Sequence, residues 1–164
     1  MSRTSATPQD LESVSRQLGR PVRDIVAIAA RCVCGNPVVV QTKPRLEDGT
    51  PFPTVYYLTL PAATSAISTL EAEGLMNELQ DRLATDEELA LNYQHAHQSY
   101  LTDRAKLGLV AEIEGISAGG MPTRVKCLHS LVAHSLAAGP GVNKIGDIAL
   151  EECSWNPNRC ACEK

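Results

Sequence analysis

Between Ser117 and Asp147 the chain reads Ser-Ala-Gly-Gly-Met-Pro-Thr-Arg-Val-Lys-Cys-Leu-His-Ser-Leu-Val-Ala-His-Ser-Leu-Ala-Ala-Gly-Pro-Gly-Val-Asn-Lys-Ile-Gly-Asp. It carries the densest set of reactive side chains in the sequence: Arg124, Lys126, Cys127, His129, His134, Asn143 and Asp147. Three chemistries are open to them. Free N–H groups at a helix start behind Gly119-Gly120, joined by Arg124 or Lys126, suit a phosphate or carboxylate. Thiols and imidazoles suit a metal ion or an iron–sulfur centre. A thiol paired with an imidazole suits nucleophilic or acid–base catalysis.

Spacing discriminates among the three. If Pro122 to Ala138 is one helix, Arg124, Cys127, Leu131 and His134 fall within an arc of about 80°, with Lys126 and His129 on another side. Cys127 and His134 are then about 10.5 Å apart along the axis. Metal bonds of about 2.0 to 2.3 Å cannot span that gap from one helix. His129 likewise sits on the wrong side to pair with Cys127. A metal site therefore needs Cys34 or the C-terminal thiols to approach Cys127. Cys32-Val-Cys34 and Cys160-Ala-Cys162 supply thiol pairs, a weaker signal than two Cys-x-x-Cys pairs.

The anion reading leads, although no Walker loop or dinucleotide fingerprint is present. Its ligand-binding set is Gly119, Gly120, Arg124, Lys126, His129, His134, Asn143 and Asp147, for a small phosphate-bearing anion. Cys34 and Cys127 are the metal candidates, with zinc or an iron–sulfur centre as the implied cofactor. His134 taken alone reads as a core histidine hydrogen-bonded to backbone.

The elements that must position these groups are those of one domain over residues 1–150 with a Cys-containing tail over 151–164. Thr7-Pro8-Gln9-Asp10 reads as a capped helix start, followed by Leu11, Val14 and Leu18 at helical spacing and stopped by Gly19. Strands are expected over 24–31, 37–42 and 54–60, joined as an antiparallel meander. Within the loop before the third strand, Phe52-Pro53 is a candidate cis peptide. Helices follow from Pro61 to Gly74, through Leu75, Leu79 and Leu83, and from Thr85-Asp86-Glu87-Glu88 onward. His95 and His97 are roughly 200° apart on the last of these and are expected on its surface. The fold class is α+β, a small antiparallel sheet covered by helices, with the Pro122 to Ala138 helix packed centrally.

Composition sets limits on function. A net charge of -4 argues against wholesale electrostatic capture of nucleic acid. The longest apolar run, Ile25 to Ala30, is far short of the roughly 20 residues that span a bilayer. The expectation is a soluble, cytoplasmic chain without a membrane segment, in which six cysteines serve as thiols, metal ligands or redox groups more readily than as disulfides.

Two longer motifs carry a resemblance. Asp48-Gly-Thr-Pro-Phe-Pro-Thr-Val-Tyr-Tyr-Leu-Thr-Leu-Pro61 and Gly119-Gly-Met-Pro-Thr-Arg-Val-Lys-Cys-Leu-His129 are the first two; Ala133-His134, Gly139-Pro-Gly-Val-Asn143, Gly146-Asp147 and Arg31-Cys-Val-Cys-Gly-Asn-Pro37 accompany them. In these the chain resembles the actinobacterial "domain of unknown function 501" family. The resemblance covers nearly the whole chain after about Arg20 and implies no activity. Many relatives have Leu-Thr-Cys-Pro where this chain has Leu58-Thr59-Leu60-Pro61. The family's genes commonly sit beside a septum-formation initiator, enolase and an exopolyphosphatase, which implies a rival role as a non-catalytic adaptor with a protein partner in cell division or the envelope. The matching positions are Cys34, Arg124, Lys126, Cys127, His129, His134, Asn143 and Asp147.

Overall fold

The computed structural model describes residues 3–162. Its elements run β1 (Thr4–Ser5), α1 (Pro8–Leu18), β2 (Ile25–Arg31), β3 (Pro37–Thr42), β4 (Tyr56–Leu58), α2 (Pro61–Ala72), α3 (Leu75–Thr85), α4 (Glu87–Ala105), a short 3-10 turn (Ala111–Ile113), α5 (Leu128–Ala138) and α6 (Lys144–Glu152). The four strands pair antiparallel in chain order, so the expected meander is present and gains β1 at its edge. Helices cover the sheet, α1 packing through Val14 on Ile28 and Val40 and the later helices forming the main core with Ala29, Val39 and Leu58, which gives the α+β class. Among the described residues no helix is long and apolar enough to cross a membrane.

Local chemistry fixes α1 and ties it to the sheet. The Thr7 side chain accepts from the Asp10 N–H at 3.1 Å and the Asp10 carboxylate accepts from the Thr7 N–H at 3.0 Å, so both ends of the capping box are closed. The same carboxylate pairs with Arg31 at the end of β2 at 2.7 Å. That guanidinium holds Asp10 well below the usual carboxylate range. Arg31 also donates to the Gly35 carbonyl at 3.0 Å, which braces the β2–β3 turn.

The core gathers around α5, in which eight residues from Leu128 to Ala137 are buried. A helix apolar on so much of its circumference has to sit inside the protein. α6 crosses it closely because Gly146 has no side chain: a Cβ there would stand 2.2 Å from the Leu131 carbonyl oxygen. Buried among these helices is His134, stacked 6.0 Å from the Tyr56 ring and edge-on to Tyr100 at 5.1 Å. Asn143 Nδ2 donates to His134 Nδ1 at 3.2 Å, while His134 Nε2 has no protein partner.

Several sequence expectations are corrected. The central helix begins at Leu128, not Pro122. Residues 117–127 are turns because Gly119 and Gly120 take φ values of 66° and 95°, and their carbonyls accept from the Lys126 and Arg124 N–H groups at 2.8 and 2.9 Å. A Cβ on Gly120 would stand 2.5 Å from the Arg124 oxygen, so this closure needs glycine. Gln80 Oε1 accepts from the Val125 N–H at 2.8 Å and holds the loop off the helical path. Among the described residues the cis peptide is Met121-Pro122, not Phe52-Pro53. Of the two α4 histidines, His95 is exposed as expected, but His97 is buried and bonds Ser117 Oγ through Nδ1 at 2.7 Å.

Burial pushes His134 down to about 4 from 6.5. In the unfolded chain it takes a proton near 6.5, whereas the folded chain keeps it neutral. Stability is therefore full above about pH 6.5 and falls as pH drops toward about 4, by on the order of 3 kcal/mol from this group. Urea unfolding of wild type and His134→Gln at pH 7 and pH 4.5 checks this. The variant, less stable at pH 7, is expected to lose distinctly less on acidification.

Candidate functional site

Two thiol sites lie on opposite sides of the sequence expectations. The first unites Cys32, Cys34, Cys160 and Cys162, whose sulfurs all fall within 4.8 Å of one another. Cys32 and Cys34 sit in the turn that closes the β2–β3 hairpin. There the Cys32 N–H donates to the Asn36 carbonyl at 2.9 Å and the Gly35 N–H to the Cys32 carbonyl at 2.8 Å. Gly35, at φ 94°, supplies the left-handed residue that the turn requires.

The other pair arrives on the C-terminal segment, which follows α6 and folds back over the domain. Trp155 is buried in the core, and the Val33 N–H donates to the Pro157 carbonyl at 3.2 Å, joining this segment to the hairpin turn. Cys34 and Cys162 sulfurs stand 3.6 Å apart, and all the cysteines are free thiols. Four thiolates around one tetrahedral ion with bonds of about 2.3 Å would have sulfurs about 3.8 Å apart, so the donor set fits such an ion. The backbone N–H of Asn36 draws the Cys34 thiol down to about 7, and burial pushes Cys32 up.

Cys34 therefore meets Cys32, Cys160 and Cys162, while Cys127 stands in a second site. Cys127 caps α5 from outside the helix. That displacement brings it beside His129, contrary to the expectation drawn from a continuous helix. Ser130 Oγ donates to the Cys127 sulfur at 3.5 Å. His129 Nδ1 faces Glu71 of α2 at 2.5 Å, and His129 Nε2 faces the Thr64 carbonyl and Ser68 Oγ, both at 3.1 Å. Burial alone would raise the Cys127 thiol, but the His129 imidazole and the Ser130 donors outweigh it and leave it below the ordinary value. His129 is raised in turn, by Cys127 first and then, against burial, by Glu71. Glu71, Thr64 and Ser68 had no signal in the sequence, because α2 meets α5 only through the tertiary fold.

The remaining residues of the anion set divide into separate environments. Arg124 and Lys126 are exposed, whereas His134 and Asn143 are fully buried. The N–H groups of both cationic residues are already bonded to the Gly119–Gly120 turn. Asn143 caps α6, its Oδ1 accepting from the Gly146 N–H at 3.0 Å. Asp147 accepts from Ser135 Oγ and, at 2.8 Å, from the Gly141 N–H, which fastens the loop between α5 and α6.

Residues 28–151 match the family described as "Protein of unknown function (DUF501)". The chain belongs to that family. No curated protein and no solved structure matches it. The matched stretch contains Cys32, Cys34, Glu71, Cys127 and His129, and ends before Cys160 and Cys162.

The division between exposed and buried members sets the cost of losing each. Asn143→Ala removes a helix cap and leaves His134 Nδ1 unpaired, for an expected loss of about 2 to 4 kcal/mol. Arg124→Ala and Lys126→Ala should each stay within about 0.5 kcal/mol of wild type. Urea titration of the three variants at pH 7 gives the comparison.

Proposed function

We propose that this DUF501 chain is a metal-binding protein that holds one zinc ion through Cys32, Cys34, Cys160 and Cys162. The observation that carries the reading is the convergence of four sulfurs within 4.8 Å from two Cys-x-Cys pairs far apart in the sequence. An all-sulfur tetrahedral donor set suits zinc or iron. A two-iron cluster divides its thiols between two metals and spreads the pairs apart, so the single compact group favours one ion. Zinc has no redox chemistry of its own and serves where four protein ligands leave no open position.

Its role would be that of a clasp. The C-terminal segment reaches the hairpin turn through the Val33–Pro157 hydrogen bond and the burial of Trp155. An ion shared by both thiol pairs would close a loop from Cys34 to Cys160 and convert its binding free energy into folding stability. An anion site of Arg124 and Lys126 has less support, because these exposed cations stand apart from buried His134 and Asn143.

Elemental analysis of protein purified under reducing, chelator-free conditions is expected to give about one zinc per chain. Cys34→Ser combined with Cys160→Ser should abolish it. A site filled to 100 times its dissociation constant adds about 2.7 kcal/mol, and each kcal/mol shifts a domain of this size by about 2 to 4 °C. Chelation should thus lower the melting temperature by roughly 5 to 10 °C. Metal-free protein whose melting is indifferent to added zinc would exclude the clasp.

A further inference from the structure

The Cys127 site is separate from the four-thiol group and open to a cleft. A volume of about 350 Å³ is lined by Tyr57, Thr59, Pro61 and Thr64 together with Cys127 and His129, within the size range of small-molecule sites. Cys127, His129 and Glu71 do not form a compact ligand group; among the described residues the one such group is the four cysteines. They form instead a line from sulfur to imidazole to carboxylate.

The hydrogen bonds settle what that line can do. His129 presents Nδ1 to the Glu71 carboxylate and Nε2 to the Thr64 carbonyl. Glu71 and Thr64 both accept, and Ser68 Oγ, which shares Nε2 at 3.1 Å, can accept as well; in that arrangement both ring nitrogens donate and the imidazole is a cation. A cation beside a sulfur at the start of α5, with Ser130 Oγ donating to it, stabilises the thiolate. A His129 with both nitrogens engaged is not free to deprotonate water, which sets acyl hydrolysis aside. Peroxide chemistry would leave a sulfenic acid that a second thiol must resolve. Among the described residues no second thiol lines the cleft beside Cys127.

The geometry points to Cys127 as a nucleophilic thiolate that exchanges with a small-molecule disulfide admitted through this cleft, becoming reversibly S-thiolated. The thiolate electron pair forms the new sulfur–sulfur bond to the nearer sulfur of the disulfide. The original bond breaks with its pair on the far sulfur, which leaves as a thiolate and takes a proton from water. Cys127 is oxidised and the departing sulfur reduced, so no further oxidant is needed. Glu71 is a positioning residue, acting only through His129. Apart from the Cys127–His129 pair, the residues lining the cleft carry no charge, which suits an uncharged disulfide.

The test uses the full chain as purified, with 2-hydroxyethyl disulfide as the exchange probe and iodoacetamide as the reporter of thiolate. Both are read at the Cys127 peptide by mass spectrometry, so the other cysteines do not interfere. The groups facing Cys127 are His129 on α5, Glu71 on α2, Tyr57 on β4 across the cleft and Tyr100 on α4; burial keeps Tyr100 neutral. Alkylation should be half-maximal below the ordinary thiol value of about 8.5. His129→Gln should move that midpoint up and slow the reaction at pH 6.5 by about tenfold. Glu71→Gln should move it in the same direction by less, and this milder change covers the case in which His129→Gln fails to fold. The mixed disulfide should form at Cys127 and be released by dithiothreitol. A midpoint at or above the ordinary value, profiles unchanged in both variants, or no disulfide adduct at Cys127 would each overturn the proposal.

Discussion

The constraint from which the rest of the structure follows is that α5 has no face for solvent. Leu128, Leu131, Val132, Ala133, Leu136 and Ala137 all need cover, and the sheet, α2 and α6 provide it. Area-based estimates assign about 1.5 to 3 kcal/mol to full burial of a Val or Leu side chain, so no arrangement that leaves this helix at the surface competes. Two consequences reach the chemistry. His134 is carried into the core with its helix and must be kept neutral, with Asn143 as its partner. The start of the helix emerges where α2 passes, which sets Cys127 and His129 beside Glu71.

Backbone approach enforces the same constraint. Gly146 lets α6 lie against the Leu131 carbonyl, and Gly119 lets the preceding loop press on the Leu131 side chain, where a Cβ would come within 2.7 Å. Of the Gly119–Gly120 pair, Gly119 is a contact point with the central helix and Gly120 lets the loop close on the Arg124 carbonyl. Both let chain segments touch, and the Met121, Arg124 and Lys126 N–H groups are bonded within the loop.

Much of the fold was legible in the sequence. The capping box at Thr7 and Asp10, the β-branched run at Pro37 to Thr42 and the proline and glycine punctuation around Pro61 and Gly74 each announced an element that formed. These signals are local, and local hydrogen bonding and propensity decide them. The start of α5 was misplaced because Pro122 looks like a first helical residue. The Gln80 side chain and the glycine carbonyls, neither visible in a periodicity, take the loop's N–H groups instead. That one shift of register moved Cys127 off the helix and reversed its relation to His129. The metal set was half legible: both Cys-x-Cys pairs were plain, but their meeting depends on Trp155 and Pro157 docking an aperiodic segment onto the β2–β3 turn.

The two thiol sites divide the cysteine chemistry of this protein by geometry. Four sulfurs drawn together without an open position are suited to holding a cation and joining the C-terminal segment to the β2–β3 turn. One sulfur beside an imidazole and a cleft is suited to reaction. The clasp is the more central of the two claims, because it accounts for how the C-terminal segment is secured. X-ray absorption at the zinc edge of the purified protein tests it most directly. Four sulfur neighbours at about 2.3 Å are predicted; a first shell of nitrogen or oxygen, or a sulfur count of two or fewer, would contradict the account.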